Sequence, residues 1–403
     1  MKCNRMHSVF TVIVAICTII GLCGCANCFP QDAFVDSGPG IARIVEATTM
    51  DPLLVLEAFP DEEIPSRFEG LTADLRYADL RNLSLNAHKE QLMNSAFSTM
   101  TLWPDTLPEG FNPAQILENG KNPGLSVRAL HTQGITGKGV SVGIIDQTLY
   151  TGHSEYADRL RHYEELHVLS EEWQTASMHG SAVASLALGS STGVAPEAEL
   201  YFISAPLVNN TSDFKNAVIT YKYYAQAINR FLRLNETLPD ADKIRVISIS
   251  RGFSETDDGY LEITEALGNA RAAGILVIST SDPIAGLNRD PLGDADDRIA
   301  YCNGSWQDER MLSTDRYFFP MDARTYASCM GAQDYDYMPI GGWSWVVPYT
   351  AGLYALCVQV NPNMTPDTFW KALDATSSPL PKEGMPMPQR VVDPVALLEY
   401  IQL

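Results

Sequence analysis

The chain has 403 residues, enough for two or three average domains or for one large domain with an extension. Its 45% hydrophobic and 19% charged residues are ordinary globular usage, which excludes wholesale disorder, a collagen-like repeat and a coiled coil. The 28 basic and 49 acidic residues leave a net charge of −21, a field that repels phosphates and anionic membranes, so no nucleic-acid partner is expected.

At the N-terminus, Lys2, Arg5 and His7 precede the uncharged apolar run Val9–Gly24. That run is shorter than the about 20 residues of a membrane span but suits the apolar region of a signal peptide. It closes on Leu22-Cys23-Gly24-Cys25, which resembles a bacterial lipobox. The resemblance implies that residues 1–24 are a signal peptide, that cleavage falls before Cys25, and that a lipid on the Cys25 thiol tethers the protein to the membrane. An ordinary secretory signal or an uncleaved anchor is the alternative, and either way the body of the protein leaves the cytoplasm. Of the eight cysteines, Cys28, Cys302, Cys329 and Cys357 lie beyond this segment. No CxxC pair recurs among them, so no zinc site is expected; one or two disulfides stay open, and Cys357 reads as core.

Residues 25–120 read as an N-terminal extension, a propeptide or an arm, with Pro-rich joints such as Trp103-Pro104 and Leu107-Pro108. From residue 121 the texture becomes alternating strands and helices. Strands are predicted at Val140–Ile145, Glu199–Ile203, Arg245–Ile249 and Ile275–Ser279. Helices are predicted at Gly180–Leu188, around Phe214–Leu234, at Tyr260–Ala273 and at Val347–Val360. Apolar, β-branched strands alternating with helices predict an α/β fold: a mostly parallel sheet with helices on both faces.

Three segments place a reactive residue at the end of a regular element. Val142-Gly-Ile-Ile-Asp146 puts an acid at the carboxyl end of a buried strand, where ligands gather in open parallel sheets. Met178-His179-Gly180 puts a histidine at the start of a helix of small residues. Gly341-Gly342-Trp343-Ser344 leads into the last strong helix, with Pro348 a few residues in, and places a serine beside helix N-terminal N–H groups that can receive an oxyanion. Each alone is an ordinary cap or turn residue. Together, in the order Asp, His, Ser, and with Gly137-Lys-Gly139 before the acid strand, Gly193-Val-Ala-Pro196 after the histidine helix and Ala351-Gly352 in the serine helix, the chain resembles the subtilase family of serine peptidases over residues 121–375.

The resemblance implies a three-layer subtilisin-like fold and a peptidase domain over residues 121–403. It implies that Ser344 is the nucleophile, His179 the general base, Asp146 the group that orients and stabilises the imidazole, and the Ser344 N–H an oxyanion donor. A polypeptide substrate follows, lying against Ser250, Arg251 and Gly252, where the family has Ser-x-Gly-Gly. The pattern departs at the family's second oxyanion donor, an Asn after a buried strand. Here that strand runs into Asp282-Pro283, and neither residue replaces an amide when the acid is ionised. Loss of that donor in this family costs about 10²–10³ in turnover. Asn288 is the one nearby replacement.

Trp343 and Trp345 flank Ser344 and either narrow the cleft, stack on a peptide or pack. His153, His162 and His167 lack helical metal-ligand spacing and read as solvated loop residues. The four aspartates of Asp290–Asp297 make calcium a candidate ligand, although the stretch lacks the pattern of an EF-hand; no other cofactor or metal is expected. The sequence therefore points to an exported serine endopeptidase. The alternative is an inactive or weakly active subtilase-like surface protein that binds peptides or protein partners. An esterase is disfavoured because no Gly-x-Ser-x-Gly surrounds Ser344. Oligomeric state has no signal in the sequence.

Overall fold

The computed structural model describes residues 42, 44–48, 53–60, 71–167, 175–209, 217–304, 315–380 and 389–402. The signal segment 1–24 and the lipidation candidate Cys25 lie outside the described residues. All described residues belong to one compact unit, Pro39–Leu403.

The N-terminal part is built from short pieces. Strand β1 (Leu54–Val55) pairs in parallel with β2 (Ala78–Asp79); α1 (Lys89–Met93), β3 (Phe97–Ser98), α2 (Pro113–Gly120) and α3 (Val127–Thr132) follow. Helix α2 starts where Asn112 accepts the Gln115 N–H and Pro113 takes the first helical position, a pairing that leaves few orphan donors.

The centre is a five-stranded, all-parallel sheet of β4 (Ser141–Asp146), β5 (Leu160–Glu165), β6 (Glu199–Ser204), β7 (Ile244–Ile249) and β8 (Leu276–Ser279), in the order β5-β6-β4-β7-β8. Helices α4 (Met178–Leu188), α5 (Lys222–Thr237) and α6 (Tyr260–Ala272) connect its strands. Strand β4 is buried along its whole length, and its alternation divides the core. Val142 and Ile144 join α4 and the late helix α7 (Trp343–Val360) in one cluster. Ile145 joins Ala225, Ile228 and Phe231 of α5 and Ile263 and Ala266 of α6 in another.

Beyond β8 the pairing becomes mixed. Strand β9 (Ile284–Arg289) lies between β10 (Tyr301–Gly304), antiparallel to it, and β11 (Tyr317–Pro320), parallel to it. Strands β12 (Arg324–Ala327) and β13 (Tyr335–Met338) form an antiparallel sheet whose third strand is β3, so residues of the N-terminal part complete it. Helices α8 (Pro366–Thr376) and α9 (Pro394–Gln402) follow α7.

Two helices differ from the sequence reading. Helix α5 begins at Lys222, because residues 219–220 are extended: Ile219 bridges Val208, Thr220 bridges Asp258, and the Thr220 hydroxyl donates to the Asp258 carboxylate at 2.7 Å. Helix α7 begins at Trp343, so Ser344 is its second residue; Pro348 lies in the second turn, where its missing N–H leaves one carbonyl of the first turn without its helical donor.

Phe97, Phe111 and Ile116 of the N-terminal part share a buried cluster with Ala323 and Tyr337, and the Phe97 and Tyr337 rings lie 4.9 Å apart. Cys329 and Cys357 are buried free thiols. Among the described residues no helix is long and apolar enough to cross a membrane.

Candidate active site

Asp146 ends β4 with only 4% of its surface exposed. Its Oδ1 accepts the Gln147 N–H at 2.8 Å and a hydrogen bond from His179 Nδ1 at 2.6 Å. His179 stands in the first turn of α4, whose cap is Ser177: the Ser177 Oγ accepts the His179 N–H at 3.1 Å and donates to the Gln147 side-chain oxygen at 2.5 Å. The next residue has to be glycine. A Cβ on Gly180 would lie 2.5 Å from the Gln147 carbonyl oxygen and 2.7 Å from that of Thr148. The bare backbone lets the start of α4 close onto the turn that carries Asp146.

Burial of the His179 ring works against its protonation. The charge of Asp146 and the hydrogen bond outweigh that, and the imidazole is held above its ordinary pKa. Because Nδ1 is committed to the carboxylate, Nε2 is the nitrogen left to exchange a proton.

Ser344 occupies the start of α7, so its N–H precedes the first residues that find acceptors within the helix. Its carbonyl would ordinarily accept the N–H of residue 348, four positions on. That residue is Pro348, which has none. The Ser250 hydroxyl takes the vacated place, donating to the Ser344 carbonyl at 2.9 Å. Ser250 is the first residue past β7, so this bond ties the loop at the carboxyl end of the sheet to the turn that carries the serine. Among the described residues no hydrogen bond joins Ser344 to His179.

The aromatic neighbours have distinct positions. Trp345 is buried, 5.7 Å from the His179 ring and 5.3 Å from the ring of Tyr326 on β12, so it packs behind the histidine. Trp343 lies 4.9 Å under the Arg316 guanidinium. Gly341, just before this turn, donates its N–H to the buried Asp322 at 2.8 Å, and burial pushes that carboxyl up to about 7.

Asp282 is turned back onto β8. Its Oδ2 accepts the Ser279 N–H at 2.7 Å and the Ser279 hydroxyl at 2.9 Å, while burial raises its pKa above the usual carboxylate value. Asn288 sits half-buried on β9, between two paired strands. Arg251 and Gly252 follow Ser250; the Arg251 N–H donates to the Ile249 carbonyl and its own carbonyl accepts from the Thr280 N–H.

The three histidines do not behave alike. His153 is fully buried, with Nε2 2.9 Å from the Asp334 carbonyl oxygen and Nδ1 accepting the Glu155 N–H, which corrects the expectation of a solvated residue. Its burial lowers its pKa. His162 belongs to β5 beside Glu164, and His167 stacks on Tyr223 at 4.2 Å. In the aspartate run, Asp290, Asp294, Asp296 and Asp297 each accept backbone N–H groups of neighbouring turns, and Asp296 also binds the Asn122 amide. No group of three or more metal-ligating side chains is gathered among the described residues. The missed features — the Ser250 bond, the Arg316–Trp343 stack and the Asp322–Gly341 bond — join distant segments; of these only Pro348 carried a local signal.

Comparison with known proteins bears on this arrangement. Residues 137–281 match the Subtilase family, Peptidase_S8. The subtilase match contains Asp146, His179 and Ser250–Gly252 and ends ahead of Asp282 and Ser344. Among solved structures, the chain is similar to the prenylagaramide maturation protease PagA, at 15% identity and a TM-score of 0.49, over 68% of this chain and 98% of that one. It is also similar to MycP1 from the ESX-1 type VII secretion system, at 18% identity and a TM-score of 0.48, over 73% of this chain and 88% of that one.

Proposed function

We propose that the protein is an exported serine endopeptidase with a three-layer subtilisin-like domain, in which Asp146, His179 and Ser344 act as a triad. The observation that carries this reading is the 2.6 Å bond from His179 Nδ1 to the buried Asp146, within the subtilase-matched segment. It fixes the imidazole tautomer whose Nε2 accepts a proton from Ser344 as the hydroxyl attacks a peptide carbonyl and returns it to the leaving amine. Asp146 stabilises the imidazolium formed between these steps. The Ser344 N–H at the start of α7 stabilises the oxyanion, helped by the positive end of the helix. Residues 250–252 support the polypeptide, and a lipid on Cys25 holds the enzyme at the cell surface; a secreted form is the alternative.

The experiment is covalent labelling of the purified protein with a fluorophosphonate probe, which needs only an activated serine. Labelling that disappears in Ser344→Ala supports the reading. A folded protein that takes no label refutes it.

One observation favours a second reading, a weakly active or inactive protein that binds peptides. Asp282, where the family's amide donor is expected, is occupied with Ser279 and is acceptor-only when ionised. Labelling that proceeds while peptide turnover stays slow marks this case.

A further inference from the structure

Two arginines adjoin the residues that position Ser344, and among the described residues neither has a carboxylate partner. Arg251 directly follows Ser250, whose hydroxyl holds the Ser344 carbonyl. Its Nε is buried with no hydrogen-bond acceptor among the described residues. Asp257, a few residues on, is engaged by the Tyr221 hydroxyl at 2.5 Å. Arg316 lies over the Trp343 ring, one residue from Ser344, and its Nη1 is pinned by the carbonyl oxygens of Asp282 at 3.0 Å and Ile284 at 2.9 Å. That grip uses one nitrogen and leaves the rest of the guanidinium fork uncommitted among the described residues.

This is unusual company in a chain with 49 acidic residues against 28 basic ones. Elsewhere Arg76 pairs with Asp74, Arg230 with Glu164 and the exposed Arg161 with Glu199, while the buried Arg289 and Arg324 donate to backbone carbonyls and Arg324 also keeps nitrogens unpaired among the described residues. A buried guanidinium donor without an acceptor is costly, and the cost is relieved when a partner brings one. Carboxylates suit the planar fork best, and charge-assisted bonds to them are strong and directional. The net charge of −21 disfavours an anionic peptide, so holding one calls for local cations such as these.

We infer that Arg251 and Arg316 are specificity-determining residues that select polypeptides carrying an acidic side chain close to the bond to be cut. The inference rests on the peptidase reading for the location of the cleft, but its test does not require turnover. The full chain carrying Ser344→Ala is titrated by fluorescence anisotropy with two pools of fluorescein-labelled random octapeptides. The pools are identical except that one fixes Glu and the other Gln at a central position. About tenfold tighter binding of the Glu pool is expected. Arg251→Gln, whose side chain holds no bond among the described residues, should remove much of that ratio without lowering the melting temperature. The Arg251→Gln/Arg316→Gln pair should abolish it, while Arg316→Lys, which keeps the charge but not the planar fork, should retain more of it than Arg316→Gln. Equal affinities, no binding of either pool, or a Glu preference that survives the double substitution overturns the inference. Fluorophosphonate labelling of the unmodified chain reports separately on the triad, so a failed peptidase reading and a failed specificity assignment are distinguishable.

Discussion

The bond between His179 and Asp146 sets the pH at which Ser344 can be activated. The base must be neutral, and Asp146 holds the imidazole pKa above its ordinary value, so the acid limb of the labelling rate should fall above that of a free histidine. Asp146→Asn removes the charge and reverses the tautomer preference. It should lower the limiting rate by about 10⁴ and shift the limb toward lower pH, where burial alone then acts on the ring. A pH profile of fluorophosphonate labelling in both proteins measures this, and an unshifted limb contradicts it. A second residue-scale outcome concerns Ser250. In Ser250→Ala the Ser344 carbonyl loses its donor, at a cost of about 1–3 kcal/mol in denaturant melts, with slower labelling. Adding Pro348→Ala restores an N–H to that carbonyl, so the double variant should be more stable than Ser250→Ala alone, and non-additivity in the cycle is the signature. Additive losses would mean that the two residues do not share the carbonyl.

At the scale of elements, the N-terminal part and the sheet β12-β13 share one core. Arg76 is bidentate to Asp74, lies 3.2 Å from the Tyr326 hydroxyl and faces the buried Asp336, which also accepts from the Tyr77 hydroxyl at 2.5 Å. Tyr326 in turn packs on Trp345, and Trp345 on His179. A chain beginning at residue 121 exposes Ala323, Tyr337 and the edge of β13 where β3 pairs, and is expected to lose its cooperative melting transition. Phe97→Ala, which empties the centre of this cluster, should cost about 3–5 kcal/mol. A truncated chain that melts cooperatively and takes the fluorophosphonate label would instead make residues up to 120 a removable propeptide.

The same elements explain what was legible beforehand. Strand β4 and helix α4 were readable because an unbroken apolar run and a string of small residues are local signals. Strand β5, Leu160–Glu165, was not, since an edge strand carrying Arg161, His162 and Glu164 has no continuous apolar pattern. Strand β12 hides Arg324 and Thr325 in the interior, where pairing with β13, the Thr192 carbonyl that accepts from Arg324 and the Leu117 carbonyl of α2 that accepts from Thr325 accommodate them. The unbroken apolar part of α7 is legible from Val347, whereas its first turn, Trp343–Val346, holds together around a proline only because Ser250 satisfies the carbonyl that Pro348 orphans.

For the whole molecule, charge and burial meet at Asp322. Burial raises its pKa to about 7 against 3.8 ordinarily, with the Gly341 hydrogen bond and the charge of Arg289 acting the other way. Such a group binds its proton more tightly folded than unfolded. Its contribution to stability is therefore complete below about pH 4 and is lost as the pH rises through about 7, a total of about 4 kcal/mol. The half-buried His131 and the buried His153, whose pKa values are lowered by burial, act oppositely below their ordinary value near 6.5, so the stability of the native chain alone does not isolate Asp322. Asp322→Asn does, because both histidines are common to the two proteins. The variant keeps a carbonyl to accept the Gly341 N–H but cannot ionise. The stability of the native chain minus that of the variant should fall between pH 4 and pH 8, most steeply from pH 5 to 7, as measured by urea melts. Since Gly341 leads directly into Trp343 and Ser344, ionisation that weakens the fold also strengthens one of the bonds that pin this turn. The variant should therefore show labelling of Ser344 that gains less than the native chain's between pH 6 and 8. Parallel stability curves for the two proteins would show that Asp322 keeps an ordinary carboxylate pKa and that the serine turn is held without its charge.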